Sequence, residues 1–207
     1  MISRAVLSLS RPGHKLRLLD LEGVIERRLG ALSYQDYLCA VCVIAEVIAE
    51  TYSEFYPPGV RGLAQRTVDA AKVTLRDGED AGVAAAAGLP DEWTAVLKDK
   101  DAVDGPPGAG TALVMFAALS DEISMTDRRQ AALTFVSASV ATYPGKPYTR
   151  PEAQFVFPLE ERTAEADESS PGVQLLLKFG EVAALAEAQS RAGMASDPEA
   201  IRGAVFS

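Results

Sequence analysis

The sequence predicts an all-α protein: a single-domain bundle (1–207) of about seven or eight helices around a central buried helix at 33–56, with a long Pro-rich acidic connection at 144–170. Three observations predict it. Residues 33–56 read SYQDYLCAVCVIAEVIAETYSEFY, with apolar or aromatic side chains at Tyr34, Leu38, Val41, Ala45, Ile48, Tyr52 and Phe55. Those steps alternate four and three, which follows one face of a helix. Residues 38–45 are apolar all the way round, so they belong in a protein interior. Alanine dominates the apolar set and aromatics are 7%, a balance that favours packed helices over sheets.

Residues 2–9 alternate weakly, as a short strand or ordered arm would, until Arg11-Pro12-Gly13 breaks them. Leu18, Leu21, Ile25 and Leu29 mark a first helix, stopped at Gly30. Ser33 is placed to N-cap the second helix, and Asp36 stands three residues on as a capping-box-like acid. Pro57-Pro58-Gly59 is expected to end that helix sharply. A third helix follows at 60–75, closed by Asp77-Gly78. Residues 79–89 are helix-prone and lightly built, so they are expected to pack close against a neighbour.

Pro90-Asp91-Glu92-Trp93 opens a further helix, with acids in its first turn. A polar Gly/Pro-rich loop is expected at 99–110, then an apolar helix at 111–123 and another at 127–143, capped by Thr126. Pro144, Pro147, Pro151 and Pro158 forbid a continuous helix over 144–170, and connections this long are functional or disordered. Ser170-Pro171 starts a helix through Arg191, and Asp197-Pro198 caps a short final one that Val205 and Phe206 anchor.

The chain has 29 acids against 20 bases, a net charge of −9. That charge argues against nucleic-acid phosphates or an anionic membrane as the main partner. It fits a basic protein partner, and it fits plain solubility equally. No apolar run approaches the roughly 20 residues that span a bilayer. Residues 1–15 lack the pattern of a secretion signal, and two cysteines at helical spacing are no disulfide framework. The expected location is cytoplasmic.

Five motifs invite chemistry. Cys39-x-x-Cys42 resembles a redox pair, but such chemistry needs a cysteine at a helix N-terminus, and both lie more than a turn inside an apolar helix. Packing as small hydrophobes is the expected role. Residues 105–113, GPPGAGTAL, look like the phosphate loop of AAA-type ATPases, yet Thr111 and Ala112 replace the lysine and hydroxyl residue that the chemistry requires. The single histidine, His14, lies beside a Pro-Gly break and supports no triad or metal site. Asp121-Glu122 and Asp91-Glu92 are adjacent acids that read as caps and surface charge.

The fifth motif is Glu46, Glu50 and Glu54, spaced to share a helix face with no base on the same helix. Like charges at this spacing repel, by roughly a few tenths of a kcal/mol per pair. Either cations such as Arg27, Arg28, Arg61 or Arg66 match them, and the helix is a scaffold, or they face solvent as a surface for a basic partner. The favoured expectation is a non-enzymatic acidic helical protein that binds another protein. It could be an inhibitor or immunity-type protein that masks a basic toxin or nuclease surface, with Glu46, Glu50, Glu54, Glu160 and Glu161 as the partner-binding residues. No catalytic residue, metal or cofactor is expected. One alternative is a small-molecule binder or unfamiliar helical enzyme, with its site near Glu46, Glu50, Tyr148 and Arg150. Another is a helical subunit of a larger assembly.

Overall fold

The computed structural model describes residues 17–99, 107–124 and 171–207. Among these residues it contains eight α-helices and no strand: α1 Leu18–Ala31, α2 Tyr34–Thr51, α3 Pro58–Asp77, α4 Glu79–Ala85, α5 Leu89–Lys98, α6 Pro107–Ser124, α7 Pro171–Arg191 and α8 Pro198–Phe206. The all-α expectation holds. The expected arm at 2–9, the helix at 127–143 and the connection at 144–170 lie outside the described residues.

The α2 helix starts where its cap chemistry places it. The Asp36 amide donates to Ser33 Oγ (3.3 Å), and the Ser33 hydroxyl donates to Asp36 Oδ2 (2.6 Å). Residues 37–45, Val47 and Ile48 are buried, and α2 packs against α1, α3, α6, α7 and α8. Its end differs from expectation. The α-helix stops at Thr51, whose hydroxyl takes the Val47 carbonyl (2.7 Å), and a 3-10 turn, Ser53–Phe55, follows. The tighter turn delivers buried Tyr56 to α6, where its hydroxyl donates to the Ala109 carbonyl (3.2 Å). Pro58 therefore opens α3 rather than closing α2, in the first-turn position where its missing N–H costs nothing.

The end of the loop expected at 99–110 also differs, while residues 100–106 lie outside the described residues. α6 begins at Pro107, so 107–110 are helical despite two glycines. Burial of Ala109 and the Tyr56 bond outweigh the low helix propensity of glycine there. A helical conformation at these positions also removes the likeness to a phosphate loop.

A second centre of packing joins α3, α5 and α6. Trp93 stacks on Phe116, with centroids 5.6 Å apart and planes 10° from parallel. Its indole N–H donates to Thr67 Oγ1 (2.9 Å), whose own hydroxyl donates to the Leu63 carbonyl (3.0 Å). The buried indole is thus satisfied by a hydroxyl that a helix backbone orients. On the other side, Leu21, Ile25 and Leu29 of α1 meet α7, whose Phe179, Val182, Ala183 and Ala186 are fully buried.

The α4 helix lies close on α3, as its small residues imply. A Cβ added to Gly82 would stand 1.9 Å from Thr74 Oγ1 and 2.7 Å from Thr74 Cβ. Gly82→Ala is therefore expected to lower stability by about 1–3 kcal/mol through overpacking, although alanine is the better helix former. Gly62, exposed on α3 with nothing within 4 Å of its added Cβ, is the control. Gly62→Ala should raise stability by about 0.5–1 kcal/mol. Denaturant midpoints decide, and shifts of the same sign in both variants would contradict the close α3–α4 approach.

Candidate functional site

The acids of α2 flank its apolar segment, and each of the first three finds partners within the chain. Glu46 is nearly covered, with 17% side-chain exposure. Lys72 Nζ of α3 donates to its Oε1 (2.7 Å), and Arg202 Nη1 of α8 meets its Oε2 (2.7 Å). Arg202 Nη2 also reaches both oxygens of Glu50 (2.8 and 2.7 Å), while Lys72 stands 3.6 Å from Glu199. Burial opposes the charge on Glu46, but the Lys72 and Arg202 bonds outweigh it and hold the carboxyl below its ordinary range. Burial likewise opposes the charge on Lys72, and Glu46 lifts its ammonium above the usual value. Bonds to Glu50 and then Glu46 raise the Arg202 guanidinium.

Cations within the chain thus match Glu46 and Glu50, but not the ones nearest in sequence. Arg61 donates to the Tyr56 carbonyl (3.2 Å), Arg66 to Glu92 (2.5 Å) and Arg28 to Glu187. Glu50 keeps 60% side-chain exposure. Glu54 is exposed in the 3-10 turn and makes no ion pair with another described residue. The other two expected partner-binding residues, Glu160 and Glu161, lie outside the described residues, as do Tyr148, Arg150 and His14.

At the opposite end of the same face, the Ser196 hydroxyl donates to Asp36 Oδ1 (2.6 Å). Burial pushes the Asp36 carboxyl up, but bonds from Ser196, Ser33 and Ser190 prevail and hold it low. Gln35, Asp36, Lys72, Leu75, Arg76 and residues 195–199 line an open groove of about 670 Å³ here. Its Lys72 is the residue bonded to Glu46, so it adjoins the described part of the expected small-molecule site, and sequence reading missed it because the α7–α8 connection and the start of α8 supply half its wall.

Cys39 and Cys42 are free and fully buried. Burial pushes both thiols up to about 12, with Lys72 opposing at Cys42, so neither is a thiolate at neutral pH. The packing role is the one this geometry supports. Glu122 differs from its expected place on the surface: it is buried on α6, where the Tyr37 hydroxyl donates to its Oε2 (3.0 Å). The available signal was its spacing from Leu119, three residues on along an inward stripe.

Among the described residues no cluster of three His, Cys, Asp or Glu side chains is arranged to hold a metal ion. No described helix is long and apolar enough to cross a membrane. Comparison with protein-family models, curated proteins and solved structures gives no match to this chain.

The Glu46 geometry sets an acid response. A carboxyl held below its unfolded value of about 4.3 stabilises the fold above that pH, and the contribution disappears as pH falls through the folded value. Glu46→Gln is expected to cost about 1–2 kcal/mol at neutral pH, because partly exposed Lys72 and Arg202 are screened by water. The gap between wild type and variant should shrink from about pH 5 to pH 3 in urea titrations. A gap that stays constant over that range would assign the loss to packing instead.

Proposed function

We propose that this chain is a non-enzymatic helical protein of the cytoplasm that binds a basic protein, in the manner of an inhibitor or immunity-type protein. The observation that carries the reading is the exposed pair Glu50 and Glu54 at the end of α2. Two acids on successive turns repel each other, and both stand at the negative end of the helix dipole. Arg202 already answers Glu50, so a cationic partner surface relieves these costs chiefly at Glu54. Glu46, held by Lys72 and Arg202, serves as an anchor that orients this end of the helix. The net charge of −9 supports fast electrostatic capture of a basic target.

A second reading, a small-molecule binder, draws on the groove between α2, α3 and the α7–α8 connection. Its volume of about 670 Å³ falls within the range of ligand pockets, roughly 300–1,000 Å³. Side chains of both signs, Lys72 and Arg76 against Asp36, Asp197 and Glu199, suit a zwitterionic metabolite.

Affinity capture with wild type and the Glu50→Lys/Glu54→Lys variant separates these readings. The first expects a stoichiometric basic protein held at about 0.1 M salt, released near 1 M, and lost with the variant. Equal capture by both forms, or no stoichiometric protein, sinks it. Native mass spectrometry of the purified protein addresses the second reading, which expects a small molecule retained by wild type and lost with Lys72→Ala.

A further inference from the structure

We propose that α8 is a releasable cap over a buried dithiol, and that its undocking opens Cys39 and Cys42 to mixed-disulfide formation with small disulfides. The inference goes beyond partner binding and does not depend on it. It starts from the register of α8 on α2. Asp36, Cys39, Cys42, Glu46 and Glu50 follow one another at helical steps of three and four, on one face. The first is bonded to Ser196 (2.6 Å), and the last two to Arg202 (2.7 Å each). Ten residues of helix separate Asp36 from Glu46, about 15 Å. Residues 196–202 run along that interval in the same direction, pinned at both ends, and the two cysteines lie between the pins. The electrostatic surroundings place both α3 and α8 near the thiols: Asp197 and Asp36 act on Cys39, and Lys72, Glu46, Glu199 and Asp69 on Cys42.

The cap is the part of this covering with the least apolar anchorage. α3 and α7 have 20 and 21 residues, whereas α8 has nine and fully buries Ile201 alone. Val205 and Phe206 are partly buried, the latter under Lys178 Nζ at 5.0 Å. Its other ties are ionic or hydroxyl bonds at a partly wet edge, which salt and water weaken. The connection is built to turn. Gly193 takes φ +67° and closes α7 in a Schellman motif, with Met194 N–H on the Gln189 carbonyl (3.0 Å), and residues 192–195 are exposed. Small, weakly anchored elements open locally while the rest of a fold stays closed.

An internal disulfide is not the expected product, because Cβ atoms three apart on a helix are about 5–6 Å apart and a disulfide needs about 3.5–4.5 Å. In the open state a cysteine thiol loses its proton to solvent, and its thiolate attacks one sulfur of the small disulfide. A new protein–reagent S–S bond forms as the reagent's S–S bond breaks, and the departing thiolate carries off the electron pair. The cysteine is oxidised and half of the reagent is reduced.

The probe is dithiobis(nitrobenzoate), a small aromatic disulfide whose released thiolate is coloured, applied to the folded full chain. Hydrogen exchange of α2 amides gives the global opening rate under the same conditions. Labelling is expected to outpace global opening, to quicken from about 0.1 M to 1 M salt, and to be roughly tenfold faster in Arg202→Gln at low salt. Cys39→Ser and Cys42→Ser assign the reacting thiols. Labelling that follows global opening and ignores salt overturns the proposal. The wild-type salt series reads this outcome even where Arg202→Gln fails to fold.

Discussion

A stretch of helix with no polar face constrains everything around it. Residues 38–45 of α2 expose none of their surface, so the chain must cover them from every side. α1, α3, α6, α7 and α8 supply that cover. Cys39, Ala40, Cys42 and Ala45 are small, which lets those helices approach closely. The same constraint decides where α2 carries charge. Its acids stand before residue 37 or after residue 45, where a carboxylate still reaches water or a cation. Those at the margin bring partners from other parts of the chain: Asp36 takes the Ser196 hydroxyl of the α7–α8 connection, and Glu46 takes Lys72 of α3 and Arg202 of α8. Burying a charge without such partners is prohibitive.

That dependence explains how function and fold meet on one face. α8 closes the face over the thiols, and its one arginine also answers two of the acids of α2. Removing a cation from this cluster leaves a nearly covered carboxylate short of a partner, which costs more than the pair gains when intact. The cluster therefore reads first as a device that specifies where α8 docks. In the proposed reading its use toward a partner comes second, through the more exposed Glu50 and Glu54.

The all-α fold was legible wherever local chemistry decides. Ser33 before an apolar run and Asp197-Pro198 each mark a helix start that the structure keeps, and the expected helix through Arg191 is present from Pro171. The misplacements occur where a distant contact overrides a local preference. Tyr56 reaching Ala109 extends α6 through a Gly/Pro stretch, while α2 ends in a tighter turn at the Thr51 hydroxyl. Partner choice for the acids was not legible at all. Arg202 lies 152 residues from Glu50, and no local pattern ties them. Arg61 and Arg66 stood nearer in sequence, but α3 turns them toward the Tyr56 carbonyl and Glu92. Glu122 was misread because adjacency to Asp121 suggested surface charge, whereas helical period put it inside.

The placement of negative charge then narrows what a partner would meet. Glu46, Glu50 and Glu199 against Lys72 and Arg202 leave a single net negative charge, which is faint beyond a Debye length of about 8–10 Å. Glu79, Asp80, Asp91 and Glu92 occupy the first turns of α4 and α5, where they favour the helix dipoles. Much of the acidity thus has work within the fold. Glu54 has no such role: it sits past the end of α2, exposed, where the dipole disfavours it and no described cation pairs with it. An acid placed against its local electrostatics, beside acids that already have cations, is the position at which a cation from outside changes the energy most.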